Sequence, residues 1–557
     1  MAKTENIEEV PFYRKKGFLP TVVLFILFIV LILGSRLTGR PPQIDQITPE
    51  IGLPGEVMVI KGKFFGKTRD TGEVEIGGIS AISSDYLEWS DTEISVRIPD
   101  DAKSGMVFVR TKNGTSEGKL FTNRKQIPIV IAGPMKPGQP YIEKIIPESG
   151  SIGTLLTITG INFGLEKGES NVYFTWVAEK GEQPINVSTK PQPLAAREED
   201  FDYEYWSDRE LRVRVPDGAS SGNIYLTTDK GKSNSIYFEL KRRGGTKLFL
   251  NKKTYSIQYG VTIENVSAGD GNELYIWLPN ILQTAEQRNI QLVSEEPLPM
   301  FPNIHGVTLY HFNNLKNNET YRIKKDLLFD RYTVETKVIP SKVSYKYDTS
   351  SRLYKEYTKP GVIIPSDEAR IKKLAGAIVG KERNPYRRAR LVYNYVRLRL
   401  KQSDRREKSV DDTLNKRKGD SYNYSILFTT FLRALKIPAR PVAGVVVTNE
   451  RKAIRHYWNE FYINGIGWIP VDPYLGDKNI LVSLPVEINA SNYYFGNLDN
   501  SHLTFSKGVV VPKQMNPNGN RLKREERPDL LMYHEEAVGN LYSYSSYWNN
   551  IEVLGIY

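Results

Sequence analysis

The sequence contains no cysteine among its 557 residues. This absence excludes disulfide bonds, thiolate metal sites, a cysteine nucleophile and a lipoprotein anchor, which requires an N-terminal cysteine. Histidine is scarce as well, with 5 in the chain. They are His305, His311, His456, His502 and His534. No two of them lie at metal-ligand spacing, so the sequence predicts no zinc site, no other metal and no cofactor.

The excess of positive charge is confined to one region. Residues 367–440 contain 20 lysines and arginines against 8 aspartates and glutamates, an excess that equals the net charge of +12 of the whole chain. One interpretation is a well-solvated helical surface. The other is a patch that binds an anionic surface, such as lipid headgroups, cell-wall polymers or an acidic partner.

The one long hydrophobic run lies near the N-terminus. Residues 18–35 are almost entirely apolar and reach 18 residues, about the minimum length that spans a bilayer as a helix. Basic residues are more numerous before this run than after it, which favours an N-terminus inside the cell. The alternative is a cleaved signal peptide, but the run is long for one and no A-x-A site follows. We expect a single-pass signal-anchor, with the chain after Arg40 outside the cytoplasmic membrane, where nucleic acid is not the usual ligand.

Two stretches of roughly a hundred residues repeat the same motifs. Lys61-Gly62-x-x-Phe65-Gly66 returns as Thr159-Gly160-x-x-Phe163-Gly164, at an offset of 98. Trp89-Ser90-Asp91 returns as Trp206-Ser207-Asp208, at an offset of 117. The second stretch therefore carries an insertion of 19 residues, which we place near Glu179–Asp202.

Short alternating strands separated by glycine turns fill both stretches, a pattern typical of β-sandwiches. Together with the repeated motifs, it resembles IPT/TIG domains, an immunoglobulin-like family whose members are spacers or binding modules. Residues 245–350 are again rich in strands and predict a third β-sandwich. His305 and His311 lie in it and are interpreted as structural or surface residues.

Residues Gly419 to Asp472 form the stretch most informative about function. Asp420 is a suitable N-cap for a helix over Ser421–Leu435, so Ser421 lies in the first turn of a buried helix. There the helix dipole favours a developing anion. Strands are predicted after this helix, and neighbouring strands could place His456 beside Asp472, which would orient the imidazole. Ser421, His456 and Asp472 are thus the candidate catalytic residues.

This stretch resembles the transglutaminase-like core, a papain-like fold. The resemblance rests on Gly419, Arg433-Ala434-Leu435-Lys436-Ile437-Pro438-Ala439-Arg440, Gly444, His456-Tyr457-Trp458-Asn459-Glu460 and Gly467-Trp468 with Asp472. The segment Tyr494–Asp499 is also similar to bacterial members. The family has a cysteine where this chain has Ser421. A thiol can ionise beside a histidine before it attacks, whereas a hydroxyl must lose its proton during the attack.

The sequence therefore predicts a multidomain, β-rich protein with an N-terminal transmembrane helix, immunoglobulin-like sandwiches and an α+β papain-like domain. The expected order is a cytoplasmic tail (1–17), a signal-anchor (18–35), two IPT/TIG-like sandwiches (41–124 and 141–241) joined by a linker (125–140), a third sandwich (245–350) and a transglutaminase-like domain with a C-terminal extension (351–557).

Two functions remain open at this stage. The first is a non-catalytic binding or scaffold module of the cell envelope, whose partner is another envelope protein or a wall component. The second is a serine-dependent hydrolase or acyl transferase that acts on peptide or amide bonds. In the second case Ser421 would attack, His456 would act as the base and Asp472 would orient it.

Overall fold

The computed structural model describes residues 23–26, 39–123, 137–178, 191–242, 244–304, 306–478, 481–509, 515–516, 519–521 and 534–557. Within these residues no helix is both long enough and apolar enough to cross a membrane. Most of the predicted span at 18–35, most of the linker at 125–140, and His305 lie outside the described residues. The chain divides into two compact units, Met1–Ile131 and Ala132–Tyr557.

The first unit contains a two-sheet β-sandwich. Its strands are β1 (Gln43–Thr48), β2 (Ile51–Gly52), β3 (Val57–Lys63), β4 (Glu73–Ile76), β5 (Ile79–Ser80), β6 (Tyr86–Trp89), β7 (Glu93–Arg97), β8 (Gly105–Thr111), β9 (Gly114–Thr115) and β10 (Lys119–Asn123), with a 3₁₀ turn at Ser83–Asp85. One sheet has the order β1-β3-β7-β6 and the other β2-β10-β8-β4-β5, with β9 beside β8. Alternate side chains of the strands point inward and fill the core, as the period-two pattern predicts.

The second unit begins with a sandwich of the same topology. Its strands are β11 (Tyr141–Ile146), β12 (Ser149–Gly150), β13 (Leu155–Ile161), β14 (Asn171–Trp176), β15 (Gln192–Ala195), β16 (Tyr203–Trp206), β17 (Glu210–Arg214), β18 (Ser220–Thr228), β19 (Gly231–Lys232) and β20 (Ile236–Leu240). The sheet orders are β11-β13-β17-β16 and β12-β20-β18-β14-β15, with β19 beside β18. The inserted residues fall between β14 and β16.

The repeated motifs form the same clasp in both sandwiches. The indole of Trp89 donates to the carbonyl of Phe65 at 3.2 Å, and that of Trp206 donates to the carbonyl of Phe163 at 3.3 Å. The aspartate two residues after each tryptophan accepts a backbone N–H from the glycine that follows the phenylalanine. These glycines have positive φ angles of 94° and 92°. The turn requires these motif residues, and this requirement explains why the motif occurs in both sandwiches.

A third β domain follows, built around two long strands. Its first strands are β21 (Gly245–Ala268), β22 (Glu273–Pro279), β23 (Gln287–Glu296), β24 (Phe301–Ile304), β25 (Val307–Asn313) and β26 (Tyr321–Val338). β21 and β26 pair antiparallel from Gly245 with Val338 to Ile263 with Tyr321. A 3₁₀ turn at Pro340–Lys342 leads into the next domain.

The α+β domain packs helices against a four-stranded antiparallel sheet. The helices are α1 (Arg352–Thr358), α2 (Ala369–Val379), α3 (Pro385–Arg399), α4 (Val410–Lys416), α5 (Ser421–Ala434), α6 (Pro473–Asp477) and α7 (Ala490–Tyr493). The strands are β27 (Lys401–Gln402), β28 (Lys418–Gly419), β29 (Ala439–Val447), β30 (Ala453–Ile463), β31 (Gly467–Val471), β32 (Asn497–Leu498) and β33 (His502–Lys507). The sheet order is β31-β30-β29-β33. Helix α5 lies in the centre and is buried at every residue from Ser421 to Arg433.

The C-terminal strands return to the third β domain rather than extending the α+β domain. They are β34 (Asn520–Arg521), β35 (His534–Val538), β36 (Leu541–Trp548) and β37 (Glu552–Ile556). β36 and β37 pair with β21, and β35 pairs with β22. The resulting sheets are β23-β26-β21-β36 and β24-β25-β22-β35-β34. The sequence-based grouping of 351–557 follows chain order, whereas strand pairing brings together segments that are distant in the sequence.

The three domains of the second unit share one hydrophobic core. Its buried residues run from Ile142 in β11, through Tyr255 in β21, to Phe505 in β33. Trp176 of the second sandwich packs against Phe249 and Tyr332 of the third β domain, with ring centroids 5.4 and 5.1 Å apart. These domains therefore pack as one compact unit.

Candidate active site

Helix α5 presents Ser421 at the first position after its cap. The carboxylate of Asp420 accepts the N–H of Asn423 at 3.1 Å, and the Asn423 amide oxygen accepts the N–H of Asp420 at 3.3 Å. This capping box fixes where the helix begins. Because Ser421 is the first helical residue, it lies at the positive end of the helix dipole. The residue is 7% exposed, so it lies at the margin of solvent.

The packing of α5 against β30 brings Ser421 toward His456. Ser425 donates its hydroxyl to the carbonyl of Trp458 at 2.8 Å, and the rings of Tyr422 and Tyr457 lie 5.4 Å apart. Helix α5 and strand β30 therefore run in the same direction where they pack together. One helical turn back from Ser425 is Ser421, and two strand residues back from Trp458 is His456. These steps cover nearly the same length, about 6 to 7 Å.

His456 and Asp472 form a buried hydrogen-bonded pair. Nε2 of His456 lies 2.6 Å from Oδ2 of Asp472, and the two residues are 1% and 0% exposed. Asp472 is held by its other oxygen, which accepts the N–H groups of Tyr474 and Leu475 at 2.9 Å each. Burial by itself would raise the pKa of Asp472. The charges and hydrogen bonds of His456 and His502 outweigh it and hold the pKa well below its usual range.

His502 is a second histidine on the same carboxylate, which the sequence analysis did not single out. Its Nε2 lies 3.2 Å from Oδ2 of Asp472, and its Nδ1 lies 3.0 Å from Oδ1 of Asp499. Tyr494 donates its hydroxyl to the other oxygen of Asp499 at 2.9 Å. Burial lowers the pKa of His502, but the two carboxylates outweigh burial and raise it to about 9. The ring is therefore an imidazolium at neutral pH. His456, Asp472, His502 and Asp499 are called the imidazole cluster below.

A glycine makes this arrangement possible. A Cβ atom on Gly444 of β29 would lie 1.9 Å from the carbonyl oxygen of Leu503 and 2.9 Å from the ring of Trp458. Only glycine lets β33 approach β29 this closely. Because β33 begins with His502, the close approach places this imidazole against Asp472.

The donor atoms of His456, Asp472 and His502 lie within 4.8 Å of one another, which is also compatible with a metal site. Two ligands of one zinc ion stay about 3.3 Å apart when each bond is about 2.0–2.1 Å in a tetrahedron. The 2.6 Å between His456 and Asp472 is shorter and is that of a hydrogen bond. Both imidazoles also converge on one carboxylate oxygen. The residues therefore fit a hydrogen-bonded cluster better than a metal.

Arg406 lies beside the N-terminus of α5 and was also missed as a site residue. Its Nε donates to Oδ2 of Asp420 at 3.0 Å, and its guanidinium lies 4.1 Å from the ring centre of Tyr422 and 5.0 Å from that of Tyr457. Burial opposes its charge, but Tyr457 and Asp420 outweigh burial and raise the pKa of Arg406. A permanent cation thus contacts Asp420 and Tyr422, the two residues that flank Ser421 in the chain.

The basic segment 367–440 is partly internal. Arg440 is 1% exposed, and its guanidinium binds Glu460 at 2.8 Å and Asp200 at 2.6 Å. Lys507 binds Glu460 at 2.8 Å. Asp200 belongs to the insertion of the second sandwich, so these four residues, called the arginine cluster below, join that sandwich to the α+β domain. Much of the remaining positive charge is exposed, as at Arg387 and Arg399 of α3.

Two of the other histidines have structural partners. His311 binds Glu273 at 2.8 Å and stacks on Tyr275. His534 packs edge-on against Trp277, with ring centroids 4.9 Å apart. Both lie in the third β domain and outside the imidazole cluster.

Comparison with known proteins identifies the domains. Residues 372–473 match the Transglutaminase-like superfamily, and residues 42–123 and 140–188 match the IPT/TIG domain. A cyclomaltodextrin glucanotransferase of Paenibacillus macerans is 29% identical over 86 residues, which are 15% of this chain and 12% of that protein. A second from the same organism is 38% identical over 77 residues, 14% of this chain and 10% of that protein. The chain thus spans about a tenth of the length of these curated relatives.

Solved structures were compared as well. A structure named "Putative Cysteine Protease from Cytophaga hutchinsonii" has a TM-score of 0.38 and 18% identity, covering 56% of this chain and 92% of that one. Gamma-CGTase from Alkalophilic bacillus clarkii has a TM-score of 0.16 and 18% identity, covering 36% of this chain and 25% of that one. From the family matches, the chain contains IPT/TIG domains followed by a transglutaminase-like domain.

Proposed function

We propose that this chain is a membrane-anchored, extracytoplasmic binding or scaffold protein whose transglutaminase-like domain holds its ligand without processing it. The proposed binding position beside Ser421 and His456 is called the cleft below. The observation that carries the proposal is the hydrogen bonding of the Ser421 hydroxyl. Within the described residues its hydroxyl makes no hydrogen bond to His456, although His456 is fixed by Asp472 at 2.6 Å. A serine nucleophile depends on that bond, because its proton must pass to the base during attack.

The domain architecture supports a role in holding the cleft in position for a binding partner. The second IPT/TIG domain, the third β domain and the transglutaminase-like domain share one core, and the arginine cluster joins the first and last of these. Because the three domains pack as one compact unit, we propose that the cleft keeps a fixed orientation relative to the two β domains. The apolar residues 18–35 would tether it to the membrane with the bulk of the chain outside the cytoplasm, where we propose an envelope protein or a wall component as the partner.

Labelling with a fluorophosphonate probe tests the non-catalytic proposal. We expect the full chain to show no labelling above that of Ser421→Ala and Ser403→Ala. Ser403 is the matched control, a serine whose backbone N–H donates to the carbonyl of Gly419 at 2.9 Å, two residues before Ser421. Labelling that disappears in Ser421→Ala but persists in Ser403→Ala would overturn the proposal.

A serine-dependent hydrolase or acyl transferase is the second candidate, favoured by the retained pair of His456 and Asp472. In that reaction the hydroxyl oxygen of Ser421 would attack an amide carbonyl while its proton passes to Nδ1 of His456. The proton would then move to the leaving amine as the C–N bond breaks, leaving an acyl group on Ser421. Water or an amine would release that group. The Ser421 N–H would contribute to the oxyanion hole.

The two candidates differ in one further measurement. An acyl enzyme gains the mass of an acyl group on the peptide that contains Ser421, and mass spectrometry of the chain after incubation with an activated ester detects it. Acylation at Ser421 that is lost in His456→Gln supports the second candidate. An unmodified Ser421 peptide supports the binding protein.

A further inference from the structure

A pocket of about 630 Å³ lies where the second IPT/TIG domain meets the third β domain. Its walls come from the segment Pro193–Glu199, from the stretch before β23, and from β23 itself. This volume is within the range of about 300–1,000 Å³ that is typical of small-molecule sites. The pocket does not include Ser421, His456 or Asp472.

Arg288 of β23 lines the pocket and is 3% exposed. Its guanidinium lies 4.2 Å from the ring centre of Trp176, and Nη2 donates to the carbonyl of Pro193 at 2.6 Å. Nε is buried and has no hydrogen-bond partner among the described residues. Burial lowers the pKa of Arg288 to about 10, which Tyr332 and Glu286 offset only in part.

The acidic residues around Arg288 are committed to other groups. Glu286 lies 3.3 Å from the ammonium of Lys507. Asp330 accepts the hydroxyl of Thr254 at 2.6 Å and lies 3.2 Å from Lys252. Within the described part of the chain, no carboxylate forms an ion pair with Arg288.

The other cations on the pocket wall differ from Arg288 in this respect. Lys325 pairs with Glu295 at 2.9 Å, Lys167 pairs with Glu198 at 3.5 Å, and Arg197 pairs with Glu199 and Asp200 at 3.6 Å each. Each of these three cations therefore has a carboxylate partner. Arg288 is a buried guanidinium whose ion-pairing capacity is unused.

An unpaired buried charge costs several kcal/mol, and a carboxylate in bidentate contact is the partner that a guanidinium fits best. Ile290, Leu292 and Leu327 provide apolar wall beside it. We propose that this pocket is a binding site for a small organic acid, whose carboxylate pairs with Arg288 and whose apolar body packs against these three residues. This inference is independent of the proposed function of the cleft.

The test uses the full chain and ¹⁹F NMR of 4-fluorobenzoate, with 4-fluorobenzyl alcohol as the uncharged probe of similar shape. We expect saturable line broadening of the benzoate and little for the alcohol. Arg288→Gln is expected to weaken benzoate binding by at least about thirtyfold, because truncating one partner of a buried charge pair costs about 2 kcal/mol or more. Arg288→Lys keeps the charge and loses the bidentate geometry, so it is expected to weaken binding by about tenfold.

Arg212→Gln is the matched control, since Arg212 is an exposed arginine in β17 of the second IPT/TIG domain. Its benzoate affinity is expected to equal that of the unmodified chain. The proposal is overturned if the alcohol binds as tightly as the benzoate, or if benzoate binds Arg288→Gln as tightly as Arg212→Gln. Should Arg288→Gln fail to fold, equal affinities of Arg288→Lys and Arg212→Gln overturn it instead.

Discussion

The imidazole cluster and the arginine cluster lie four residues apart on the same strand, β30, which supplies His456 to one and Glu460 to the other. Both are largely buried, and in both the neighbours shift the pKa of a carboxylate. His456 and His502 hold the pKa of Asp472 below its usual range, and Lys507 and Arg440 do the same for Glu460, in each case outweighing burial. Burial and perturbed titration alone therefore do not identify a reactive site. The clusters differ in their neighbours. Ser421 at a helix N-terminus lies beside the first, and another domain lies beside the second.

This comparison predicts that breaking the arginine cluster has the largest effect on stability. Arg440→Met leaves the buried Glu460 and the partly buried Asp200 with less compensating charge. Losing one partner of a buried ion pair costs about 3–5 kcal/mol. We expect the urea midpoint of the second unit to fall accordingly, as followed by tryptophan fluorescence. Arg212→Met, at an exposed arginine, is the control and is expected to change stability by less than about 0.5 kcal/mol. Equal midpoints for the two variants would show that the arginine cluster does not stabilise the contact between the second sandwich and the α+β domain.

The imidazole cluster is predicted to make stability depend on pH through His502. Its pKa rises from 6.5 to about 9 on folding, so its contribution is fully present below pH 6.5 and is lost as the pH rises through about 9. A shift of this size corresponds to roughly 3 kcal/mol. We expect the free energy of unfolding to decline between pH 6.5 and 9.5 in the unmodified chain and to decline much less in His502→Gln. His311→Gln should retain the original profile, and a profile unchanged in His502→Gln would contradict the assignment.

Sequence reasoning located the α5 cap, both IPT/TIG sandwiches and the transglutaminase-like domain, because each is encoded by neighbouring residues. The triad of Ser421, His456 and Asp472 stays a prediction, of which the structure shows the hydrogen bond between His456 and Asp472. Asp420 caps the helix three positions before the N–H that it accepts, and the Trp-Ser-Asp motif forms a turn. His502 was missed because its role depends on β33 pairing with β29, a long-range contact that chain order does not reveal. The buried position of two arginines in residues 367–440 was also missed, since Arg433 and Arg440 are 5% and 1% exposed. Spacing in the sequence does not separate a buried arginine from an exposed one.

Restoring the nucleophile that the family resemblance implies sharpens the comparison at the imidazole cluster. Because the chain has no cysteine, Ser421→Cys introduces a single thiol. The helix N-terminus and His456 are expected to lower its pKa below the ordinary value of about 8.5. Alkylation by iodoacetamide at pH 6 should then be about tenfold faster than in Ser344→Cys, an exposed position. His456→Gln in the Ser421→Cys background should remove most of this advantage. Identical pH–rate profiles for the two single-thiol variants would show that the cleft no longer activates a nucleophile.

The smallest effect on stability is expected at the exposed part of the basic segment, where charge has no buried partner to lose. Replacing Arg387 and Arg399 of α3 by glutamine should change the free energy of unfolding by less than about 0.5 kcal/mol. If this surface binds anionic lipid or wall polymer, which is one of the two interpretations of the basic segment, the same double variant should bind anionic vesicles more weakly at low salt. Binding of the unmodified chain should also fall as salt screens the charges, with a Debye length of about 8 Å at physiological ionic strength. Vesicle binding that is insensitive both to salt and to the two substitutions would restrict the segment's role to the buried contacts of residues such as Arg440.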